Sequence, residues 1–424
     1  MNAQRLLQYI ASEQFTSAAI RLYGEARVEA ARVRWSKAVS NFVKIFGDRE
    51  DMALFSAPGR TEIGGNHTDH NNGCVLAAAV DLDTIAVAAP NDRGVVTLQS
   101  EGYPMYSLSL DLMKPFAREN GTSAALIRGV AARMEQLGYS IGGFDAYVTT
   151  TVLKGSGLSS SASFEVLLAC IYDNFFNKGE MNSLEAAQIA QYAENVFFGK
   201  PCGLMDQTAC AYGGFVAIDF ADLAHPKAEK VNFDFASSGY ALVITDTRGD
   251  HANLTPEYAA IREEMQAVAA QFGEKVLREC TREEILANAG KLRETVGDRA
   301  ILRALHFFDD NERVTKQKAA LLAGNMQEFL NLSNASGNSS WELLQNCFVA
   351  GQTSQGVTLG LAISREVLEG EGSTRVHGGG FAGTIQAFVP DAKVIEYVKA
   401  MDAIFGEGSA QVLSIRPDGS IRLI

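Results

Sequence analysis

The chain has 424 residues, of which 47% are hydrophobic and 21% charged, and its formal net charge is −13 at pH 7. This composition excludes a fibrous or disordered protein, and the length predicts two domains because one domain usually takes about 100–200 residues. The acidic balance is not typical of nucleic-acid-binding proteins, whose affinity comes largely from Lys and Arg on phosphates, so no nucleic-acid partner is expected.

Cysteine usage and apolar patterning indicate a cytoplasmic protein. The six cysteines are scattered without a C-x-x-C pair, which is typical of reduced thiols and not of a disulfide framework or a zinc site. The best candidate for a membrane span, residues 74–90, is interrupted by Asp81 and Asp83. The first residues lack the basic start and long apolar core of a signal peptide, so we expect no membrane association.

In the first half of the chain, helical and strand patterns alternate. Residues 1 to about 45 have apolar side chains at helical spacing, which predicts one or two amphipathic helices on the outside of a domain. Runs rich in Val, Ile and Thr predict strands over residues 74–90, 94–100 and 144–156. Helices are predicted over residues 123–137, from about residue 160, and from about 184 to 194.

The second half combines long helical patterns with short strands. Strands are predicted on either side of a boundary near residue 235 and close to the chain end, at residues 213–220, 240–247, 383–390 and 410–417. Helices are predicted over residues 258–271, 282–292, 298–325 and 356–369. The Ser- and Asn-rich segment at residues 331–340 is predicted to break the helical run. The fold class is therefore α+β in two lobes.

The segment GSGLSSSAS, residues 155–163, is a glycine turn that leaves a predicted strand and opens a helix. Glycines let the backbone approach a ligand closely, and the unpaired N–H groups at a helix start suit a phosphate. It is not a Walker A loop, because Lys154 precedes the turn and no Gly-Lys-Ser/Thr closes it. The alternative is a helix cap whose small residues pack against a neighbouring helix.

A second glycine turn, HGGGFAG at residues 377–383, contains a literal G-x-G-x-x-G. A dinucleotide fingerprint opens a helix, whereas the residues that follow this turn read as a strand. We therefore interpret it as a turn that packs close to another backbone or to a ligand. Asp206, beyond a helix that carries Glu194, is either a helix cap, a salt-bridge partner, or an acceptor for a substrate hydroxyl proton.

His67, Asp69 and His70 crowd into the turn-rich stretch at residues 56–73. H-x-D-H is not an established metal-ligand pattern, and zinc needs three or four converging ligands. Adjacent Asn, His, Thr and Asp side chains offer many directional donors and acceptors, which favours hydrogen bonding to a polyol.

Together these motifs resemble those of the GHMP small-molecule kinases and, within them, the galactokinases. The similar stretches are PGRTEIGGNHTDHNNGCVLAAAV, GSGLSSSASFEV, AENVFFGKPCGLMDQ and TRVHGGGFAG, and the resemblance runs from about residue 40 to the end. It implies a two-lobed α+β GHMP kinase fold with the active site between the lobes. The implied parts are an N-terminal helical extension (1–40), an N-terminal lobe (41–235) and a C-terminal lobe (236–424).

The resemblance also implies roles for individual residues. Asp206 would contact the anomeric hydroxyl of a sugar, as base or as orienting acceptor, with Arg60 close to it. The sugar would be bound by Asn66, His67, Thr68, Asp69 and Tyr258. The ATP phosphates would be wrapped by Gly155, Ser156, Gly157, Leu158, Ser159, Ser160 and Ser161. Ser161 and Glu194 would hold Mg²⁺, so the expected cofactors are ATP and Mg²⁺.

The sequence departs from the galactokinase pattern at several positions. The usual Asn is Glu62, the usual carboxylate before His67 is Asn66, and the usual Tyr is His70. The proline before the phosphate loop is replaced by Leu153, and a usual His is Asn334. The resemblance thus implies an ATP-dependent galactose 1-kinase, with two alternatives: a 1-kinase for galacturonate or arabinose, and a non-catalytic sugar and ATP sensor.

Overall fold

The computed structural model describes residues 1–152, 157–249 and 254–424. Three helices precede the first strand, one more than the one or two predicted: α1 (Ala3–Ala11), α2 (Glu13–Tyr23) and α3 (Val28–Phe46). The side chain of Asn2 caps α1 and that of Ser12 caps α2, each by accepting a backbone N–H of the first turn. Glycines with positive φ, Gly24 and Gly47, end α2 and α3.

The strands form two sheets. They are β1 (Ala53–Gly64), β2 (Cys74–Asn91), β3 (Val95–Ser100), β4 (Tyr106–Ser109), β5 (Gly143–Thr150), β6 (Phe215–Asp219), β7 (Lys227–Val231), β8 (Tyr240–Asp246), β9 (Ser373–Val376), β10 (Thr384–Pro390), β11 (Ala410–Leu413) and β12 (Ile421–Arg422). The first sheet has the order β12-β1-β2-β5-β3-β4, and β6 joins β2 to β7. The second has the order β11-β8-β10-β9. The last strand of the chain thus returns to the first sheet.

The remaining helices lie on these sheets. They are α4 (Ser123–Gln136), α5 (Ser160–Phe176), α6 (Ser183–Tyr192), α7 (Met205–Tyr212), α8 (Thr255–Ala270), α9 (Arg282–Ala287), α10 (Ala289–Thr295), α11 (Asp298–Leu322), α12 (Met326–Ser339), α13 (Gly356–Leu368) and α14 (Val394–Phe405). Helix α6 continues into a π-helical turn at Ala193–Phe198. Among the described residues, no helix is both long and apolar enough to cross a bilayer.

Strand β2 is apolar along nearly its whole length because helices cover both faces of the first sheet. Ala86 and Ala88 face the core formed with α4 to α7, whereas Ile85 and Val87 face the core formed with α1 to α3. Alternate side chains of a strand point to opposite faces, so each face has its own hydrophobic core. The N-terminal helices are therefore an integral layer of the first sheet.

The two sheets share a third core. Leu76 on β2 lies in one hydrophobic cluster with Leu242 on β8, Phe329 on α12 and Phe388 on β10. On the other face of the second sheet, Val243 packs in a separate cluster with α13 and α14. The shared cluster holds the two sheets against each other, and the ends of β1 and β10 meet beside it.

The prediction of a helix break at residues 331–340 is wrong, because most of this segment lies in α12. Its small residues let the helix approach strand β9 closely. A Cβ added at Gly337 would lie 2.7 Å from the carbonyl oxygen of Thr374, and Ser333 and Ser336 are fully buried. Close packing thus overrides the preference of Ser, Asn and Gly for turns. The predicted helix over 282–292 is also two short helices, α9 and α10.

Candidate active site

Arg60 enters the site from a bulge in β1, where the pairing with β2 shifts register between Pro58 and Arg60. The backbone N–H of Arg60 donates to the carbonyl of Leu158 at 3.0 Å, and its Nη1 donates to the carbonyl of Gly157. A Cβ at Gly59 would lie 2.8 Å from the Leu158 oxygen, so glycine is needed for this approach. The glycine turn thus packs directly on the strand that carries Arg60.

Asp206 lies in the first turn of α7 and faces Arg60. The guanidinium makes a bidentate contact, with Nε 2.7 Å from Oδ1 and Nη2 2.8 Å from Oδ2, and Ser159 Oγ donates to Oδ2. Burial works to raise the pKa of the Asp206 carboxyl, but the charge and hydrogen bonds of Arg60 outweigh it and hold this pKa below 3.8. Asp206 is therefore ionised and fixed in orientation.

Glu194 lies next to this pair, on the π-helical turn that follows α6, and is 2% exposed. Ser161 Oγ lies 3.1 Å from its Oε1, and Gln207 Nε2 donates to its Oε2 at 2.8 Å. Lys200 Nζ is 3.1 Å from Oε1. A hydroxyl and a carboxylate oxygen side by side fit Mg²⁺, which binds one or two carboxylates together with substrate phosphates.

Glu165 is a buried acid that the sequence analysis missed. It lies one turn after Ser161 on α5, and Gln207 Nε2 contacts its Oε2 at 3.3 Å. Its Oε1 has no hydrogen-bond partner in the described part of the chain. Burial and the neighbouring charge of Glu194 raise the pKa of Glu165 well above its usual value. The sequence signal that could have identified Glu165 is its position as a charged residue within the otherwise apolar run of α5.

Asn66 points into the protein and is fully buried. Its Nδ2 donates to Glu62 Oε1 at 3.0 Å and to the carbonyl of Gly378 at 2.8 Å. Its Oδ1 accepts from Ser340 Oγ at 3.2 Å and Asn346 Nδ2 at 2.8 Å. All of its side-chain polar atoms are therefore used inside the protein, where they join the loop after β1 to the glycine turn before β10.

Thr68 likewise holds the loop together, because its buried hydroxyl contacts the carbonyls of Gly65 at 2.9 Å and Cys74 at 2.7 Å. His67 has a left-handed φ of 60°, and its Nε2 lies 2.9 Å from the carbonyl of Gly379. Burial lowers the pKa of His67 to about 4, so the ring is neutral near pH 7. The loop thus presents a neutral imidazole and hides the hydroxyl of Thr68.

Asp69 lies in the loop after β1, and Tyr258 contacts the second glycine turn, which packs against the same loop. The Asp69 carboxylate lies against Gly203, where an added Cβ would be 2.7 Å from Oδ2. Tyr258, on α8, contacts Gly380 through its hydroxyl at 3.1 Å, and its ring leaves no room for a Cβ at Gly379. At Gly380 an added Cβ would lie 2.2 Å from the backbone carbonyl oxygen of Asn346, and the turn precedes β10. This close approach to another backbone confirms the interpretation made from the sequence.

Two cavities adjoin these residues. One of about 400 Å³ is lined by Asp69, His70, Gly203 and Arg262. Arg262 is exposed, makes no ion pair with the described residues, and lies one helical turn after Tyr258. Arg262 could not be predicted from the sequence, because nothing in the sequence alone shows that this turn of α8 faces the loop.

The second cavity, of about 300 Å³, lies beside the first glycine turn. Ser160 and Ser161 line it, together with aromatic side chains on several elements: Tyr103, Tyr106, Phe164 and Phe198. A flat, partly apolar cleft next to a turn rich in N–H and hydroxyl donors is suited to a nucleotide base and its phosphates.

The structure brings Arg60, Asp206, Ser159, Ser161 and Glu194 into one cluster. Gly155 and Ser156, predicted to bind phosphate, lie outside the described residues. Leu158 contributes its carbonyl, while its side chain is buried in the core between the sheets. In the part of the chain that the structure describes, no three His, Cys, Asp or Glu side chains are placed to hold a metal by themselves.

Two family models match the chain. The galactokinase galactose-binding signature covers residues 40–90, and the GHMP kinases N-terminal domain covers residues 125–214. A galactokinase from Streptomyces coelicolor is 30% identical over 369 residues, which are 86% of this chain and 91% of that protein. The chain belongs to the galactokinase family. It is therefore a sugar kinase of the GHMP class.

Solved structures agree with membership of the galactokinase family. The Lactococcus lactis galactokinase complexed with galactose is 26% identical, with a TM-score of 0.76 over 92% of this chain and 99% of that one. A D-glycero-D-manno-heptose 1-phosphate kinase from Bacteroides thetaiotaomicron, at 16% identity and a TM-score of 0.60 over 87% and 98% of the two chains, shares the fold. The α+β GHMP kinase fold predicted from the sequence is thereby confirmed.

Proposed function

We propose that this chain transfers the γ-phosphoryl group of ATP to the anomeric hydroxyl of galactose. The observation that carries the proposal is the bidentate Arg60–Asp206 pair, which is hydrogen-bonded to Gly157 and Ser159 of the first glycine turn. Because the chain belongs to the galactokinase family, we infer that this pair contacts the sugar hydroxyl that attacks phosphorus. The enzyme would work in the cytoplasm, where its six free thiols stay reduced.

Asp206 is the residue that contacts the attacking hydroxyl. Its ionised carboxylate accepts a hydrogen bond from the hydroxyl, aims the oxygen at phosphorus, and takes the proton as charge moves to the phosphoryl group. Arg60 keeps Asp206 ionised and stabilises negative charge on the transferred group. Phosphoryl transfer depends mainly on such in-line placement and charge stabilisation.

The phosphates lie along the turn that includes Gly157 and Ser159–Ser161, and the base occupies the cavity of about 300 Å³. Ser161 and Glu194 hold Mg²⁺, and Gln207 and Ser161 orient the Glu194 carboxylate. The metal ion, when bound, neutralises phosphate charge. Lys200, paired with Glu194, adds a cation at the same end of the site.

Galactose is bound by His67, Asp69 and Tyr258, which lie around Gly203 and the second glycine turn. His67 Nε2 contacts a carbonyl and so carries the ring proton, which leaves Nδ1 as a neutral acceptor for a sugar hydroxyl. Asn66 and Thr68, predicted to bind sugar directly, act as positioning residues in this proposal, because their polar atoms are already bonded inside the protein.

We also propose that the catalytic unit consists of two lobes, residues 41–235 and 236–424, with residues 1–40 as a helical extension. The first sheet takes nearly all its strands from the first lobe, and the second sheet takes all of its strands from the second. Arg60, Ser161, Glu194 and Asp206 then belong to one lobe, and Tyr258 belongs to the other.

One observation favours a second candidate, the phosphorylation of galacturonate. Arg262 is an exposed cation without an ion pair in the described residues, and it lines the cavity that Asp69 also lines. The carboxylate of galacturonate could form an ion pair with Arg262, whereas galactose is neutral and has no group for such a pair.

Initial rates with galactose, galacturonate and arabinose, each with Mg²⁺-ATP, test the proposal. We expect galactose to have the highest kcat/KM. Clear turnover of galacturonate alone, abolished by Arg262→Ala, would favour the second candidate. Binding of galactose and ATP without turnover would identify a sensor and contradict the kinase proposal.

A further inference from the structure

One face of helix α3 is hydrogen-bonded to the wall of the cavity of about 300 Å³ beside the first glycine turn, here called the nucleotide cavity. Arg34, Lys37 and Asn41 are spaced three and four residues apart and so lie on one face of the helix. Arg34 Nη2 donates to the carbonyl of Thr149 at 3.2 Å, and Asn41 Nδ2 donates to Tyr147 Oη at 2.9 Å. Helix α3 therefore hydrogen-bonds to alternate residues of β5, Tyr147 and Thr149.

Lys37, between these two, pairs with Glu101 at 2.7 Å. Glu101 directly follows β3, and its backbone N–H donates to the carbonyl of Val148 on β5 at 2.9 Å. Thr149 Oγ1 donates to its second carboxylate oxygen at 2.6 Å. One oxygen of Glu101 thus contacts α3 and the other contacts β5, so the carboxylate is fixed from two sides.

Glu101 and Thr149 belong to the wall of two cavities. They line the cavity of about 300 Å³ that also contains Ser160 and Ser161. They line as well a groove of about 550 Å³ between the sheet and α3, together with Lys37. A single layer of side chains therefore separates α3 from the nucleotide.

Among the described residues that line the nucleotide cavity, Glu101 is the charged one; the others are hydroxyl, aromatic, aliphatic or glycine residues. The hydrogen bond from Lys37 and that from Thr149 lower the pKa of Glu101, so its carboxyl is ionised near neutral pH. An ionised carboxylate accepts hydrogen bonds and donates none. It therefore selects a base that presents an N–H group.

Resting on the proposed function, we propose that Glu101 accepts a hydrogen bond from the exocyclic amino group of adenine, and that α3, through Lys37, is the positioning element of this contact. Adenine carries a donor at the 6-position, whereas guanine and hypoxanthine carry an acceptor oxygen there. A charge-assisted bond to this amino group distinguishes ATP from analogues that lack it. The N-terminal helices thereby become part of the nucleotide site.

The decisive comparison uses ATP and purine riboside triphosphate, which differ only in the 6-amino group. Binding of each nucleotide is measured by calorimetry without sugar, so the result does not depend on which sugar is phosphorylated. We expect the wild-type protein to bind ATP about tenfold more tightly, as loss of one charged hydrogen bond implies. Glu101→Leu should bind the two nucleotides equally, and Glu101→Gln should be intermediate. Equal preference for ATP in wild type and Glu101→Leu would overturn the proposal.

The role of α3 is tested by Lys37→Met against Lys44→Met, which removes an exposed lysine from the same helix. We expect Lys37→Met to weaken ATP binding several-fold and to reduce the preference over the analogue, with Lys37→Arg restoring both. KM for the sugar and the melting temperature should match those of Lys44→Met. If Lys37→Met and Lys44→Met bind both nucleotides alike, α3 does not position Glu101. Absence of sugar turnover in all proteins, with the nucleotide preference intact, would contradict only the proposed function.

Discussion

The carboxylate of Asp206 has two protein donors, Arg60 and Ser159, so its orientation is set before substrate binds. Asp206→Asn keeps the size of the side chain but removes its charge. We expect kcat to fall by about 10²–10⁴-fold, the usual range when a proton acceptor is removed. Steady-state kinetics on the best sugar measure this. Asp219→Asn, the same change on β6, is the control, and an Asp206→Asn enzyme as fast as that control would remove Asp206 from the mechanism.

Glu62 and Asn66 both depart from the family pattern, and together the two departures exchange an acid and an amide. The pattern has Asn at the first position and a carboxylate at the second, whereas here the acid and the amide are exchanged. Their side chains contact each other at 3.0 Å in a fully enclosed site. Glu62 is also paired with Arg375 at 2.7 Å. The acid and the amide that the pattern places at these two positions are therefore both present here, in exchanged order, and in contact with each other.

This exchange makes a prediction about coupling. Asn66→Glu alone would bury a second carboxylate beside Glu62, and we expect it to lower the free energy of unfolding by about 2–4 kcal/mol. Adding Glu62→Asn should recover most of that loss, because the amide–carboxylate contact is re-formed in the opposite sense. Urea unfolding of the two single variants and the double variant measures the coupling. Additive losses would show that the two residues do not act as a pair.

Glu194, on the π-helical turn, offers a prediction about the metal end of the site. Glu194→Ala removes the carboxylate that Ser161 and Gln207 orient. We expect the Mg²⁺ concentration for half-maximal rate to rise about tenfold or more, with KM for galactose little changed, because the sugar residues lie on other elements. Glu180→Ala, which removes an exposed glutamate before the start of α6, is the control. A Mg²⁺ titration identical to that of the control would contradict the assignment.

Helix α12 shows what packing does to a segment that local preference would assign to a loop. Gly337→Ala would place a methyl group 2.7 Å from the Thr374 carbonyl, so we expect a loss of about 1–3 kcal/mol in unfolding free energy. Gly290→Ala on α10 is the matched control, because a Cβ there meets nothing within 4 Å. That control should be neutral or stabilising by up to about 1 kcal/mol. Equal effects in the two variants would show that α12 does not need glycine for its approach to β9.

The elements and the site were predictable from the sequence to different extents. Long periodic segments such as α5 and β2 were predicted correctly, because burial of one or both faces leaves a clear pattern. The orientation of Asn66 was not, since it depends on Gly378 and Asn346, which are distant in sequence. The raised pKa of Glu165 likewise depends on burial and on Glu194, which is distant in sequence. Side chains set by local geometry were predictable, and those set by distant partners were not.

At the scale of the whole molecule, three histidines should make stability depend on pH. One of them, His377, hydrogen-bonds to both sheets, through Thr61 on β1 and Thr384 on β10. Burial lowers the pKa of His67 to about 4, that of His377 to about 3, and that of His306 below 6.5. In the unfolded chain these groups bind protons below about pH 6.5, whereas the folded protein does not. Their contribution to stability is complete above pH 6.5 and is lost as the pH falls towards the folded pKa values.

We therefore expect the urea midpoint to fall between pH 7 and pH 5. Asp81 acts in the opposite direction, because burial raises its pKa to about 6 and its contribution is lost as the pH rises through that value. The carboxyls of Glu62 and Glu165, whose pKa values are also raised by burial, act in the same direction as Asp81. The histidines of the unfolded chain titrate within this pH interval, so we expect their loss to exceed the gain from these carboxyls. His377→Gln should reduce the slope. A midpoint that does not change between the two pH values would show that these histidines do not control stability.

Strand β12 has a consequence for how the protein is made. The strand that carries Arg60 pairs with Ile421 and Arg422, and Arg416 reaches back to Ser56 at 2.7 Å. A ribosome releases these residues long after β1 has emerged, so β1 keeps an open edge throughout most of translation. An unpaired edge is a site for misassociation with other chains. Residues 421–422 must therefore pair with β1 before a neighbouring polypeptide occupies that edge.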